Sequence, residues 1–289
     1  MPIAVAAPCF ERAILYCDPA REAVISWNTR TPSGEIYVQI LRAHQPASSW
    51  LPHAHWSPTG RHSFSAKDGD AVIETDVLQT QQPFDGVYVH AQGVQFDRIA
   101  LATPEHNVAS NAWRQSAIEL DVPARSQYAV GGERGWCSPA SISMVHAFFG
   151  HDLDVAQTAR AVFDSAYNGT GNWSFNVALS GALGLQGLIA YLRNLDHARR
   201  FIERGVPVVL SYSWRAGELP GAPLEHSDGH IVVLRGFDAD GNCLINDPAK
   251  DGVRALYSRQ AIERIWLRNK GVSYLVAPPP LDLTTPINT

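Results

Sequence analysis

The pattern of apolar residues changes near residue 122, and this change constrains the fold of the 289-residue chain more than any other feature. Before residue 122, apolar and polar residues alternate in short segments that turn residues separate, and no helical period occurs. After it, apolar residues recur three and four positions apart, and short apolar runs follow these segments. We therefore expect an all-β first part and an α+β second part.

The first part is predicted to be an all-β sandwich over residues 1–105, packed separately from the rest of the chain. Turn signals such as Pro32-Ser33-Gly34 separate its strands. The segments that alternate most clearly are residues 23–27, 35–41, 71–77 and 86–91.

The second part is predicted to cover residues 122–277, after a linker over residues 106–121 in which small polar residues replace the strand pattern. Three prolines from Pro278 predict an extended, poorly ordered tail over residues 278–289. Besides a helix near Cys137, the predicted helices cover residues 154–163, 174–183, 196–204 and 259–266, and the predicted strands cover 188–192, 206–212, 231–234, 243–245 and 272–276.

Composition excludes several kinds of partner. The net charge is −5 and no run of Lys or Arg exceeds two residues, so we expect no nucleic-acid partner. No apolar run approaches the roughly 18 residues that span a bilayer, which predicts a soluble chain without a membrane span. The first ten residues lack a cationic segment and contain two prolines, so we do not interpret them as a signal peptide.

Four cysteines are too few for a disulfide scaffold. Cys9 and Cys17 could form one bridge, which composition neither requires nor excludes. The sequence therefore leaves the redox compartment open.

Cys137 stands at the predicted start of a buried helix. Pro139 suits the first turn of a helix, and apolar residues such as Ile142 and Val145 recur at helical spacing until Gly150 ends the pattern. A thiol at this end of a helix faces the positive end of the helix dipole, which favours the nucleophilic thiolate. A buried structural cysteine is the alternative interpretation, and this stretch alone does not decide between them.

A base and a residue that orients it are available in the second part. His230 begins an apolar strand, and Asp247 follows the next strand. If the two strands form one hairpin, the imidazole and the carboxylate are neighbours, as nucleophilic catalysis by cysteine requires. The alternative is a surface histidine and a turn aspartate.

Five motifs follow one another in the second part: Trp136-Cys137-Ser138-Pro139-Ala140-Ser141, Gly171-Asn172-Trp173-Ser174-Phe175-Asn176, Gly205-Val206-Pro207-Val208, Gly229-His230 and Asn246-Asp247-Pro248-Ala249. In these motifs and their order, residues 122–276 resemble the bacteriocin-processing-peptidase-like (double-glycine peptidase-like) branch of the papain-fold cysteine peptidases. The first part resembles, more loosely, the β-rich leader domain of some stand-alone bacterial members.

The resemblance implies a papain-like fold and a role for four residues. It implies that Cys137 is the nucleophile, His230 the general base, Asp247 the residue that orients the imidazole, and Gln127 the side-chain donor of the oxyanion hole. One position departs from the family, because Ser138 stands where a glycine usually follows the cysteine. The resemblance also favours a secreted or cell-envelope location.

Other signals are weaker. Trp136, Trp173 and Trp214 lie near the catalytic motifs and are predicted to bind substrate as walls of a cleft, although core packing is an equal alternative. We expect no cofactor and no metal, because the loop histidines lack an acidic or cysteine partner at fixed spacing. These histidines are His44, His53, His55 and His62.

Together these features predict a cysteine peptidase that acts on a peptide or protein substrate. Amide transfer or deamidation by the same triad is one alternative, because the acceptor decides the outcome. A catalytically dead protein whose β domain docks a polymer or cell-surface ligand is another.

Overall fold

The computed structural model describes residues 3–6, 9–104, 116–129 and 135–284, without the side chains of Cys9 and Phe10. The strands of the first part are β1 (Ile3–Ala6), β2 (Cys9–Asn28), β3 (Gly34–Arg42), β4 (Gln45–Pro46), β5 (Leu51–Ser57), β6 (Gly60–Ser63), β7 (Ala66–Asp68), β8 (Ala71–Glu74), β9 (Val77–Phe96) and β10 (Arg98–Ala102).

These strands form one sheet whose main path runs β1-β10-β2-β9-β3-β5-β6, with antiparallel pairing. Strands β2 and β9 are each 20 residues long and shift register where they pair, so they bend and let the sheet enclose a core around Trp27. The all-β first part is confirmed. The sandwich is not confirmed, since the described strands belong to a single hydrogen-bonded sheet.

The segment 71–77, predicted as one strand, contains a turn. Thr75 and Asp76 separate β8 from β9, which pair as a hairpin. The turn contains neither glycine nor proline, so the sequence carries no turn signal here. Instead, Thr75 itself adopts the left-handed backbone, with a φ of 59°.

The second part consists of β11 (Ile118–Glu119), α1 (Cys137–Phe148), α2 (Val155–Val162), α3 (Trp173–Ala182), β12 (Gln186–Tyr191), α4 (Leu195–Glu203), β13 (Val208–Trp214), β14 (Ser227–Phe237), β15 (Cys243–Asn246), β16 (Arg254–Tyr257), α5 (Arg259–Arg268) and β17 (Val272–Ala277). Its sheet has the order β12-β17-β13-β14-β15-β16, and β11 pairs with β14. All five predicted helices are confirmed to within a few residues, because their apolar faces repeat at helical spacing.

The two parts share a core, contrary to the prediction that they pack separately. Residues 23–28 of β2 are buried on both faces. Ile25 and Trp27 lie in the core of the first sheet, whereas Val24 packs with Val177 and Ile189 of the second part. The alternation of side chains along β2 therefore serves two cores.

The polar residues of β2 alternate with apolar ones, which predicts a solvent-exposed face, but in the structure they form hydrogen bonds with the second part. Asn28 accepts a hydrogen bond from Gly187 N–H at 2.9 Å and donates to Val177 O at 3.3 Å. Gly181 permits this close approach of α3, since a Cβ there would meet Asn28 Cβ at 2.6 Å. Sequence alternation alone cannot distinguish such an interface from a wet surface.

The chain segments around the second part are more packed than predicted. Leu283, in the predicted loose tail, is fully buried, and the side chain of Gln186 donates to Leu281 O. Within the predicted linker, β11 joins the second sheet, whereas residues 105–115 lie outside the described residues. Among the residues described, no helix has both the length and the apolar character needed to cross a membrane.

Candidate active site

Helix α1 presents Cys137 at its first position. Trp136 precedes the helix without a side-chain cap, so the first backbone N–H groups stay available at the thiol. The hydroxyl of Ser141 donates to Ile231 O at 2.9 Å and ties α1 to β14. The Cys137 side chain is half-buried.

Strand β14 brings His230 against Cys137. The thiol and the imidazole line the same cleft and interact electrostatically, and Nε2 of the imidazole lies 2.8 Å from Oδ1 of Asp247. The rings of Tyr212 and Trp214 contact the imidazole edge-on, at centroid distances of 6.2 and 5.5 Å, and fix its plane. The structure thus brings together Cys137, His230 and Asp247, which are far apart in sequence.

The carboxylate of Asp247 is fully buried and has three polar contacts. Its Oδ1 accepts hydrogen bonds from His230 and from Ala249 N–H at 3.0 Å, and its Oδ2 accepts one from the Tyr257 hydroxyl at 2.8 Å. Sequence reasoning missed Tyr257, together with strand β16 that carries it. The only signal was the buried-exposed alternation of four residues, which is too short to identify a strand.

These contacts shift the pKa values of all three groups. Burial alone would raise the pKa of the Cys137 thiol, but His230 and the backbone N–H groups of Ile231 and Ser138 outweigh it and lower that pKa. Burial alone would lower the pKa of His230, but Asp247 and Cys137 raise it to about 10. Burial opposes the charge of Asp247 as well, yet His230, Tyr257 and Ala249 hold its pKa below the usual value. The site therefore favours a thiolate beside an imidazolium.

Gln127 lies in a turn next to the Asp247 loop. Its backbone N–H donates to Pro248 O at 2.9 Å, and its side chain is 4% exposed. Among the described residues its Oε1 has no hydrogen-bond partner. No hydrogen bond of this oxygen therefore fixes the side-chain amide to the described part of the protein.

The predicted tryptophans divide between a cleft and the core. Cys137 and His230 open onto a cleft of about 930 Å³, which Trp136 and Trp173 help to line. Trp214 is 3% exposed and packs in the core of the second part, against the imidazole. Substrate contact by the first two tryptophans stays a prediction.

Ser138, at the one position that departs from the resemblance noted above, points away from the cleft. It is fully buried, and its hydroxyl lies 3.0 Å from the hydroxyl of Tyr274. Its side chain therefore occupies the interior behind the helix start.

Other cysteines and histidines lie outside this constellation. Cys17 is a free cysteine, and the side chain of Cys9, its suggested partner, is outside the described residues. His53 is buried against Trp27, whereas His55 lies 3.3 Å from Glu35. In the described part of the chain, no group of three His, Cys, Asp or Glu side chains is arranged to hold a metal.

Comparisons with known proteins place this geometry in context. A model of the Peptidase_C39 like family matches residues 119–274, more than half of the 289-residue chain. No curated protein matches the chain significantly.

Three solved structures are similar to part of the chain. One is assigned as a C39-like peptidase from Bacillus anthracis (16% identity, covering 56% of this chain and 98% of that chain, TM-score 0.42). Another is a double glycine motif protease from an AMS/PCAT transporter in complex with the leader peptide (19%, 56% and 97%, TM-score 0.40). A third is the peptidase domain of Streptococcus ComA, a bi-functional ABC transporter (15%, 54% and 98%, TM-score 0.40).

Proposed function

Because the chain belongs to the Peptidase_C39 like family, we propose that it is a cysteine peptidase with Cys137, His230 and Asp247 as its catalytic triad. The observation that carries the proposal is the cleft that Cys137 and His230 line together, with the imidazole hydrogen-bonded to the buried carboxylate of Asp247. The proposed substrate is a peptide or protein. The lowered pKa of the Cys137 thiol and the raised pKa of His230 support this assignment.

In the proposed mechanism, the Cys137 thiolate attacks a peptide carbonyl carbon, and the carbonyl oxygen becomes an oxyanion. Gln127 and the backbone N–H of Cys137 are the proposed donors to that oxyanion. The C–N bond then breaks, and the amine leaves with the proton that His230 supplies. Water, deprotonated by His230, attacks the thioester and releases the carboxylic acid and the thiolate.

Asp247 is the proposed orienting residue. Its hydrogen bond to Nε2 directs the other ring nitrogen toward the thiol, and its negative charge stabilises the imidazolium. Tyr257 and Ala249 donate the other two hydrogen bonds to the carboxylate, which keeps the carboxylate in this orientation.

The test is hydrolysis of a proteome-derived peptide library, with cleavage products identified by mass spectrometry. We expect cleavage by the native chain and none above background by Cys137→Ala. Cys243→Ala is the matched control, because Cys243 is fully buried and burial raises the pKa of its thiol. Equal activity of native chain and Cys137→Ala would refute the triad, and no cleavage by either would favour a catalytically dead binding protein.

A further inference from the structure

The β8–β9 hairpin of the first part contributes one whole face to the active-site cleft. Val72 pairs with Gln79 and Glu74 with Val77 across the hairpin, and all four side chains line the cleft that contains Cys137. Residues of the opposite face, such as Ile73 and Leu78, are buried in the core of the first sheet. The first sheet thus supplies one wall to a site whose proposed catalytic groups lie in the second part.

The tip of this hairpin is attached to the peptidase helix α3. Oδ2 of Asp76 accepts a hydrogen bond from Trp173 N–H at 2.5 Å. A carboxylate at this position stabilises the first turn of a helix. Trp173 is both the first residue of α3 and part of the cleft, so this contact fixes the distance between the two walls.

The backbone at the tip of the hairpin is strained at Thr75, next to the residue that binds α3. Thr75 has a φ of 59°, a left-handed backbone conformation that is unfavourable for a β-branched residue. Thr75 also lines the cleft. Such strain persists where surrounding contacts over-determine the backbone, and it is typical of functional segments.

Glu74 gives this wall of the cleft a negative charge. Its side chain is exposed in the cleft, and within the described residues it has no hydrogen bond or ion pair. The neighbouring Val72 and Val77 offer apolar surface on which the stem of a long cationic side chain can lie. Asp228, two residues before His230, adds a second exposed carboxylate to the cleft, and no described residue that lines the cleft is Lys or Arg.

We propose that the outer face of the β8–β9 hairpin is the substrate-recognition wall of this site, and that Glu74 selects peptides carrying Lys or Arg near the scissile bond. The proposal rests on the proposed peptidase function for its substrate class. Asp76 is a positioning residue in this account, because it acts through Trp173. The first part is therefore a component of the active site, although it supplies no member of the proposed triad.

The first test measures the electrostatic environment of the thiol without requiring hydrolysis. Cys137 is modified with a cationic methanethiosulfonate (ethyltrimethylammonium) or an anionic one (ethylsulfonate), and mass spectrometry of the Cys137 peptide gives the two rates. We expect Glu74→Lys to lower the cationic-to-anionic rate ratio about tenfold. Asp240→Lys, on the exposed turn after β14, makes the same change in net charge and should leave the ratio within about twofold.

The second test uses peptide cleavage. A proteome-derived library prepared by cleavage at glutamate keeps Lys and Arg inside the peptides, and the native chain should cut mainly near them. Glu74→Lys should lower kcat/KM for a Lys-containing peptide about tenfold and raise it for its Glu-containing counterpart, whereas Asp240→Lys should do neither.

The possible results separate the two proposals. An unchanged reagent ratio in Glu74→Lys would overturn the recognition wall whatever the peptidase does. Cleavage without any change of charge preference in Glu74→Lys would overturn the role of Glu74 and leave the peptidase standing. Absence of cleavage by the native chain would refute the peptidase, and with it the peptide selectivity, while the reagent ratio would still decide whether the hairpin faces the thiol.

Discussion

At the scale of single residues, the site depends on a few contacts that offset the cost of burial. His230 and Asp247 are almost fully buried and would be destabilised in their charged forms without each other. The sequence singled out Cys137, His230 and Asp247 because their motifs, in this order, resemble those of a known family, whereas their spacing alone left the alternatives open. Tyr257 and Asp76 were not singled out, since their roles arise from contacts between segments distant in sequence.

The proposed oxyanion role of Gln127 predicts a specific pattern of loss. Gln127→Ala should reduce kcat about a hundred- to a thousand-fold, because one of two donors to the oxyanion is removed. Alkylation of Cys137 by iodoacetamide forms no oxyanion, so its rate should be nearly unchanged. Gln45→Ala, exposed on the first sheet, is the control. Equal loss of both rates would indicate a disturbed thiolate or fold, and no loss of kcat would refute the role.

The hydroxyl of Tyr257 is expected to support the orientation of Asp247. Tyr257→Phe removes one hydrogen bond to the buried carboxylate without creating a large cavity, and should lower kcat roughly tenfold with little change in KM. Tyr191→Phe removes a comparable hydrogen bond, to Glu22, away from the site and should leave kcat unchanged. The measurement is the steady-state kinetics of both variants and the native chain. A kcat of Tyr257→Phe equal to that of the native chain would show that Ala249 and His230 suffice to hold the carboxylate.

At the scale of elements, the helices followed from their apolar periodicity, whereas several strands did not. Strand β5 contains Pro52 and two histidines, and β8 joins β9 through a turn without glycine or proline, so neither carries the usual signals. The pairing of β8 with β9 defines the hairpin, and the contact of Asp76 with α3 places its tip.

The contact of Asp76 with α3 makes stability depend on pH. Burial raises the pKa of Asp76 to about 7, partly offset by the N–H groups of Trp173 and Ser174. The folded chain then binds more protons than the unfolded chain between about pH 4 and 7, so this residue's contribution is full at acid pH and is lost as pH rises toward 7.

Asp76→Asn keeps the acceptor oxygen and removes this titration. Relative to the native chain, its free energy of unfolding should therefore rise between pH 4 and pH 8, by up to about 4 kcal/mol. Urea unfolding of both chains at several pH values measures the difference, with Asp240→Asn on an exposed turn as the control. A difference that is constant with pH would show that Asp76 does not titrate in this range.

At the scale of the whole molecule, the first and second parts form one packing unit around residues 23–28 of β2. The two periodicities of the sequence predict two separate domains. Periodicity indicates the local secondary structure, however, and not which surfaces of the two parts pack against each other. Ser26 and Asn28 illustrate the limit, because both bind backbone groups of β12 rather than water.

Removal of residues 1–104 should therefore not leave a stable peptidase. The truncation exposes Val177 and Ile189 and removes the acceptor at the start of α3, so we expect aggregation or a cooperative unfolding transition at markedly lower urea concentration. Size-exclusion chromatography and urea unfolding measure this, and residues 1–104 supplied as a separate chain should restore solubility. A monomeric fragment with native stability would contradict the shared core.

The most direct test of the account is the pH dependence of Cys137 alkylation by iodoacetamide, read by mass spectrometry. The thiolate forms as pH rises through the lowered pKa, so the midpoint should lie below the ordinary thiol value. His230→Ala should raise the midpoint, because His230 makes the largest contribution that opposes burial. Cys17, whose pKa burial raises to about 12, should stay unreactive at neutral pH and serves as an internal control. A midpoint at or above the ordinary thiol value that His230→Ala leaves unchanged would contradict the account and identify Cys137 as an inert buried cysteine.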